Sequence, residues 1–99
     1  MILINHTLSF ANEIEKEAKN WIQSSFTQNV EKCPHVREVL FCKLTSDAEV
    51  TDTYVIQIRF SNENDYNIYK AKFEQEFMQL LFQKFYNKFG IFSSTLEQI

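Results

Sequence analysis

The fold class this sequence predicts is α+β, a single domain in which an antiparallel sheet is backed by two helices. Three observations predict it. Two segments alternate polar and apolar residues with period two, the pattern of a strand with one face in a core. Two longer segments carry apolar residues at helical intervals. The chain has 99 residues without a repeat, linker or low-complexity stretch, so residues 1–99 read as one domain.

The first strand runs from Ile2 to Phe10, with Ile2, Ile4, His6, Leu8 and Phe10 on one side and Leu3, Asn5, Thr7 and Ser9 on the other. A helix follows from Glu13. Asn12 with Glu15 three residues on has capping-box spacing, and Glu13 and Glu15 suit the positive end of the helix dipole. Ile14, Ala18, Trp21, Ile22, Ser25, Phe26 and Val30 form its inner stripe, with Trp21 read as packing. Pro34 ends it by disfavouring helix at Cys33 and removing an N–H donor.

Val36 to Leu44 reads as the second strand, with Leu40, Cys42 and Leu44 on one face and Val39, Phe41 and Lys43 on the other. The polar loop Thr45–Val50 has no Gly, which argues for a hairpin loop longer than two residues. The third strand extends from near Thr51 to Phe60, with Tyr54, Ile56, Ile58 and Phe60 alternating against Val55, Gln57 and Arg59. Ser61–Asp65 offers several caps for a long helix from Glu63 to Lys88, whose first half is amphipathic through Tyr66, Tyr69, Phe73 and Phe77. From Phe77 to Phe89 apolar residues cover more than half of its circumference, which predicts contacts on more than one side. Gly90 is the expected residue after its C-terminus, and Ile91 to Ile99 is a fourth strand.

Strand, helix, strand, strand, helix, strand with right-handed crossovers is the ferredoxin-like split β-α-β arrangement, a four-stranded antiparallel sheet with two helices on one face and strands 1 and 3 central. Its other face is open. An open face bearing Leu3, Val39, Phe41, Val55 and Ile91 predicts a cover, and a symmetric second copy is the simplest one.

Composition excludes several classes. A net charge of −3 with no basic stripe argues against nucleic acid. The longest apolar run is well short of the ~20 residues a membrane span needs. Met1-Ile2-Leu3-Ile4 lacks the basic start of a signal peptide, and Cys33 and Cys42 read as free thiols, so a cytoplasmic location is expected. A glycine-rich phosphate loop is impossible with one Gly. The ten Phe must fill a core or serve an interface.

Candidate chemistry is sparse. Cys33, His35, His6 and Cys42 are soft ligands but lack paired metal-finger spacing, so no metal and no cofactor are expected. His6 lies among apolar residues of strand 1 and is the one weak candidate for a catalytic base. The carboxylates Glu13, Glu15, Glu17, Glu74 and Glu76 read as solvated helix surface. The set with directional logic is the open face: Asn5 and Thr7 on strand 1, Lys43 on strand 2, Gln57 and Arg59 on strand 3, Thr95 and Glu97 on strand 4. Arg59 there calls for a partner, either Glu97 or a bound anion. The set fits a polar network that fixes dimer register, or a pocket for a small anionic ligand.

Ile4-Asn5-His6-Thr7-Leu8, Tyr54-Val55-Ile56-Gln57-Ile58, and Lys88-Phe89-Gly90 leading to Phe92-Ser93-Ser94-Thr95-Leu96-Glu97 together resemble a small bacterial family, the domain of unknown function DUF4286. The resemblance spans nearly the full length. It implies a dimeric α+β barrel of two ferredoxin-like subunits packed sheet to sheet, and it implies no activity. Asn5, Thr7, Gln57 and Glu97 are the matching positions; the family's Arg before the strand 4 Thr is Ser94 here. Haem-degrading monooxygenases look similar in fold and use a His on the helix, which the long helix here lacks.

Three functions are therefore expected in order: a homodimeric, non-catalytic assembly or interaction module; a small anionic-ligand binding or sensing domain using Arg59, Gln57, Asn5 and Thr7; and a cofactor-independent monooxygenase or isomerase with His6 as base.

Overall fold

The structure is a computed structural model that describes residues 1–45 and 53–99. The elements run β1 (Ile2–Phe10), α1 (Glu15–Trp21), a π-helical turn (Ile22–Phe26), α2 (Thr27–Glu31), β2 (Glu38–Lys43), β3 (Thr53–Phe60), α3 (Glu63–Lys72), α4 (Glu74–Lys84) and β4 (Phe89–Glu97). The four strands form one antiparallel sheet in the order β2-β3-β1-β4. This is the ferredoxin-like α+β fold, with β1 and β3 at the centre as expected. Most of the Thr45–Val50 loop expected from the sequence lies outside the described residues.

The helices cover the sheet face formed by Ile4, His6, Leu8 and Phe10 of β1 and Tyr54, Ile56, Ile58 and Phe60 of β3, all buried. Period-two alternation on the two central strands thus places the core on the even positions. Phe26, Ile22, Val30, Tyr69, Phe77, Leu81 and Phe85 close the core from the helical side. Much of it is aromatic. The Phe60 ring packs against Tyr66 and Tyr69 at 5.5 and 5.1 Å, and Phe10 meets Phe85 edge-on at 5.9 Å, the offset geometries that ring quadrupoles favour.

The edge strands differ from expectation in phase. Direct partners across a sheet share a face, and Val39, Phe41 and Lys43 lie opposite Ile58, Ile56 and Tyr54. They belong to the helix side, and the open face takes Glu38, Leu40 and Cys42. Likewise Ile91, Ser93, Thr95 and Glu97 lie opposite Leu8, His6, Ile4 and Ile2, so Thr95, Glu97 and Ile91 also belong to the helix side. The open face of β4 carries Gly90, Phe92, Ser94 and Leu96. On β2 and β4 both faces are chemically mixed, so alternation there has no phase to reveal.

The first helix is interrupted. Asn12 does not cap it; residues 12–14 form a turn, Ile14 stands at the N-cap without a side-chain bond, and Glu15 accepts from the Tyr54 hydroxyl at 3.0 Å instead of reaching back. The π turn brings Trp21 and Phe26 to 5.8 Å between ring centroids. Residues five apart on an α-helix point about 140° away from each other, so the wider turn is what lets both rings face inward.

The second helix breaks at Phe73, where φ is −119°, although Phe77 N–H still donates to the Phe73 carbonyl. Asn62 caps its start by accepting from the Asp65 N–H at 2.8 Å. Its end is not set by Gly90, which lies inside β4. Asn87, with φ 59°, makes the reversal three residues earlier, Asn being the side chain that best tolerates left-handed backbone after Gly.

Candidate functional site

Two polar clusters lie on opposite faces of the sheet. On the open face, the register sets Asn5 beside Gln57 and Leu3 beside Arg59. Gln57 Nε2 donates to Asn5 Oδ1 at 3.0 Å, Arg59 Nε donates to Gln57 Oε1 at 2.8 Å, and Arg59 Nη1 reaches Glu38 Oε2 at 3.4 Å. Ser9 and Thr53 exchange a hydroxyl bond at 3.1 Å nearby. The partner of Arg59 is thus Glu38 of β2, not Glu97, which lies on the other face of β4. Thr7 stands between Val55 and Phe92. Of the seven side chains expected in this set, Asn5, Thr7, Gln57 and Arg59 come together; Lys43, Thr95 and Glu97 do not. Glu38, Ser94, Phe92 and Leu96 take the vacated positions. The cross-strand register could have found them, and register is not written in an edge strand with two mixed faces.

The polar row is bordered by Leu3, Leu40, Val55, Phe92 and Leu96. Phe92 is 70% exposed and Leu96 48%.

The second cluster lies on the helix side, in a cleft of about 160 Å³ between β1, β4 and the α3–α4 break. His6 is 1% exposed. Its Nδ1 is 2.6 Å from Ser93 Oγ, and its Nε2, buried, has no hydrogen-bond partner. A buried polar atom left unpaired costs about 1–3 kcal/mol. Burial pushes the imidazole pKa below its ordinary 6.5; Glu74 opposes that shift and Lys70 adds to it. The ring is therefore neutral at pH 7. Lys70 Nζ donates to Glu74 Oε1 at 2.8 Å across the break, and that bond raises the Lys70 pKa. Ile4 and Met78 supply apolar wall. Thr95, expected on the open face, lies here, 3.3 Å from the Tyr66 hydroxyl.

Lys43 lies at a separate groove of about 210 Å³ with Lys19, Gln23, Phe41 and Tyr54. Of the soft ligands, Cys33 is buried, Cys42 is exposed on the open face, and His35 bonds Asp65 at 2.9 Å. Among the described residues no three His, Cys, Asp or Glu side chains are grouped to hold a metal. Among them, too, no helix is long and apolar enough to cross a membrane.

A four-stranded antiparallel sheet with one helix-covered and one open face defines the class of the chain as ferredoxin-like α+β. The chain belongs to the family Domain of unknown function (DUF4286), whose model matches residues 1–99. Solved structures of similar fold include a protein from Deinococcus radiodurans described as a candidate antibiotic biosynthesis monooxygenase, with 15% identity and a TM-score of 0.72, covering 100% of this chain and 93% of that one. HapK from Hahella chejuensis has 19% identity and a TM-score of 0.71, with coverage of 100% and 93%. A dimeric ferredoxin-like protein from an uncultured marine organism has 14% identity and a TM-score of 0.66, with coverage of 100% and 95%. No curated protein matches. At these identities the likeness carries the fold and not the chemistry.

Proposed function

We propose that this chain, folded as one domain, works as a homodimeric, non-catalytic assembly module in the cytoplasm, two copies closing sheet to sheet over the polar row. The observation that carries this reading is the pairing of Phe92 and Leu96, exposed by 70% and 48%, with a row of amides and a guanidinium hydrogen-bonded to one another. Such a face needs cover for its apolar border, and its polar centre is already tied together within the subunit. In a two-fold contact the Asn5–Gln57–Arg59–Glu38 row sets which residues meet, since misalignment would strand a polar group against aliphatics. The dimeric neighbour of the same fold supports this assembly.

Binding of a small anion at Arg59 is the alternative, with Glu38, 3.4 Å from Arg59 Nη1, as the carboxylate it would lie beside. Oxygenase or isomerase chemistry rests on His6 as base and on the names of fold neighbours. Light scattering tests the assembly. The wild type is expected to be a dimer at micromolar concentration and Phe92→Arg a folded monomer. A monomeric wild type overturns the proposal. An anion that raises the melting temperature of the wild type but not of Arg59→Ala transfers the function to the alternative.

A further inference from the structure

On the helix side of the sheet, away from the proposed subunit contact, a groove of about 210 Å³ lies between the first helix and β2. Lys19 of α1, Gln23 of the π turn, Phe41, Cys42 and Lys43 of β2, and Tyr54 of β3 line it. Phe41, Cys42 and Lys43 are consecutive, and Cys42 projects to the open face, so the groove runs along the free edge of β2. The main chain of that edge has donors to offer. Leu44 N–H bonds the Thr53 carbonyl at 3.0 Å, and bonded and non-bonded pairs alternate along an antiparallel ladder. The Lys43–Tyr54 and Phe41–Ile56 pairs are therefore non-bonded ones, and the N–H groups of Lys43 and Phe41 point outward from the sheet.

Positive charge and an aromatic surface meet at this edge. Among the described residues Lys19 and Lys43 make no ion pair, and none of those that line the groove is acidic. Glu15, one turn before Lys19, accepts from the Tyr54 hydroxyl at 3.0 Å. Phe41 is partly exposed and stacks on buried Tyr54, with 5.5 Å between centroids and 24° between planes. We propose that the groove binds a one-ring aromatic carboxylate, its oxygens held by the two ammonium groups and the Lys43 N–H, its ring against Phe41. The volume exceeds the ~150 Å³ of a cavity that accepts benzene, which leaves room for the carboxylate. Exposed ammonium groups alone hold an anion weakly, so the ring contact has to add to them. The site shares no residue with the Arg59 row and stands whether or not the open faces pair.

Benzoate, benzyl alcohol and acetate, each titrated into 15N-labelled protein, separate ring from charge. Amide spectra read the Phe41 and Lys43 N–H groups directly. Benzoate is expected to shift both saturably, with half-saturation at about 1 mM, and the other two to bind about tenfold more weakly. Lys19→Gln with Lys43→Gln is expected to weaken benzoate binding by about tenfold. Lys32→Gln with Lys72→Gln removes the same charge from other positions and is expected to leave it unchanged. All four lysines are exposed, so the variants keep the fold. Equal weakening by the two double variants means that net charge alone attracts the anion, and overturns the proposal. Acetate binding as tightly as benzoate overturns it too, because the ring then contributes nothing. So does a benzoate response that misses Phe41 and Lys43; one confined to Asn5, Gln57 and Arg59 moves the anion to the open face.

Discussion

The two faces of the sheet carry polar side chains among aliphatics, but they treat them differently. On the open face Asn5, Gln57, Arg59 and Glu38 hand hydrogen bonds from one strand to the next, and Ser9 and Thr53 serve each other. On the helix face His6 has Ser93 on one nitrogen and nothing on the other. Alternation along a strand tells which face a residue occupies. Whether its bonding capacity is met depends on the neighbouring strands, hence on register. The more exposed cluster is linked across three strands and keeps its remaining donors near solvent, and the buried cluster is the one with an unpaired buried nitrogen.

The largest expected effect separates the faces by what truncation costs. Phe60, fully buried against Tyr66 and Tyr69, should lose about 3–5 kcal/mol on Phe60→Ala, at every protein concentration, in denaturant unfolding. Phe92→Ala should leave the monomer within about 0.5 kcal/mol of wild type, as for an exposed side chain, and lower only the concentration-dependent part of stability. Equal, concentration-independent losses would break the comparison.

His6 gives the next effect. Replacing it by Leu removes the unpaired nitrogen, and Ser93, on an exposed edge strand, can turn to water. The unfolding free energy should rise by about 1 kcal/mol, with higher thermal and denaturant midpoints. A fall of that size would mean that Nε2 is bonded in solution. The pH dependence carries a defined sign. Burial lowers the folded-state pKa of His6 below its unfolded 6.5, so at acid pH the unfolded chain binds the extra proton. Stability from this group is full above pH 6.5 and declines as pH falls toward the folded pKa, by at most about 1.4 kcal/mol per pH unit. Subtracting the His6→Leu curve should cancel that slope. Glu74 and Lys70, the charged groups that bear on the ring, push in opposite directions and are secondary to burial.

The central strands were legible in the sequence because each has one dominantly apolar face, interrupted in β1 only by His6; Ile56, Ile58 and Phe60 against Gln57 and Arg59 admit one phase. The element order followed, and with it the position of β1 beside β3. On β4 the helix side takes Phe89, Ile91, Ser93 and Thr95 while the open side takes Phe92, Ser94 and Leu96, two sets of nearly equal polarity. Lys43, Thr95 and Glu97 were misplaced for this reason, and the Glu38–Arg59 pair was missed. The π turn at Ile22–Phe26 was hidden because Ile22, Phe26 and Val30 recur at ordinary helical intervals. His6 was visible as a polar residue on an apolar face, but its empty nitrogen depends on the phase of β4.

Gly90→Ala should have the smallest effect and locate the proposed subunit contact. Gly90 lies in β4 opposite Ser9 on the open face. Its φ is not positive, and an added Cβ would meet nothing within 4 Å. Glycine in a strand gives up more chain entropy on folding than alanine does, so the monomer should gain about 0.5–1 kcal/mol. The same methyl on the helix face would have to enter a filled core, whereas on the open face only a second copy can meet it. Dimer dissociation, followed by light scattering on dilution, then reads the position of the partner. If the partner extends over the Ser9–Gly90 end, Gly90→Ala weakens the dimer while raising monomer stability. If the contact centres on Asn5 and Gln57, dissociation stays as in wild type, and the gain in stability appears alone.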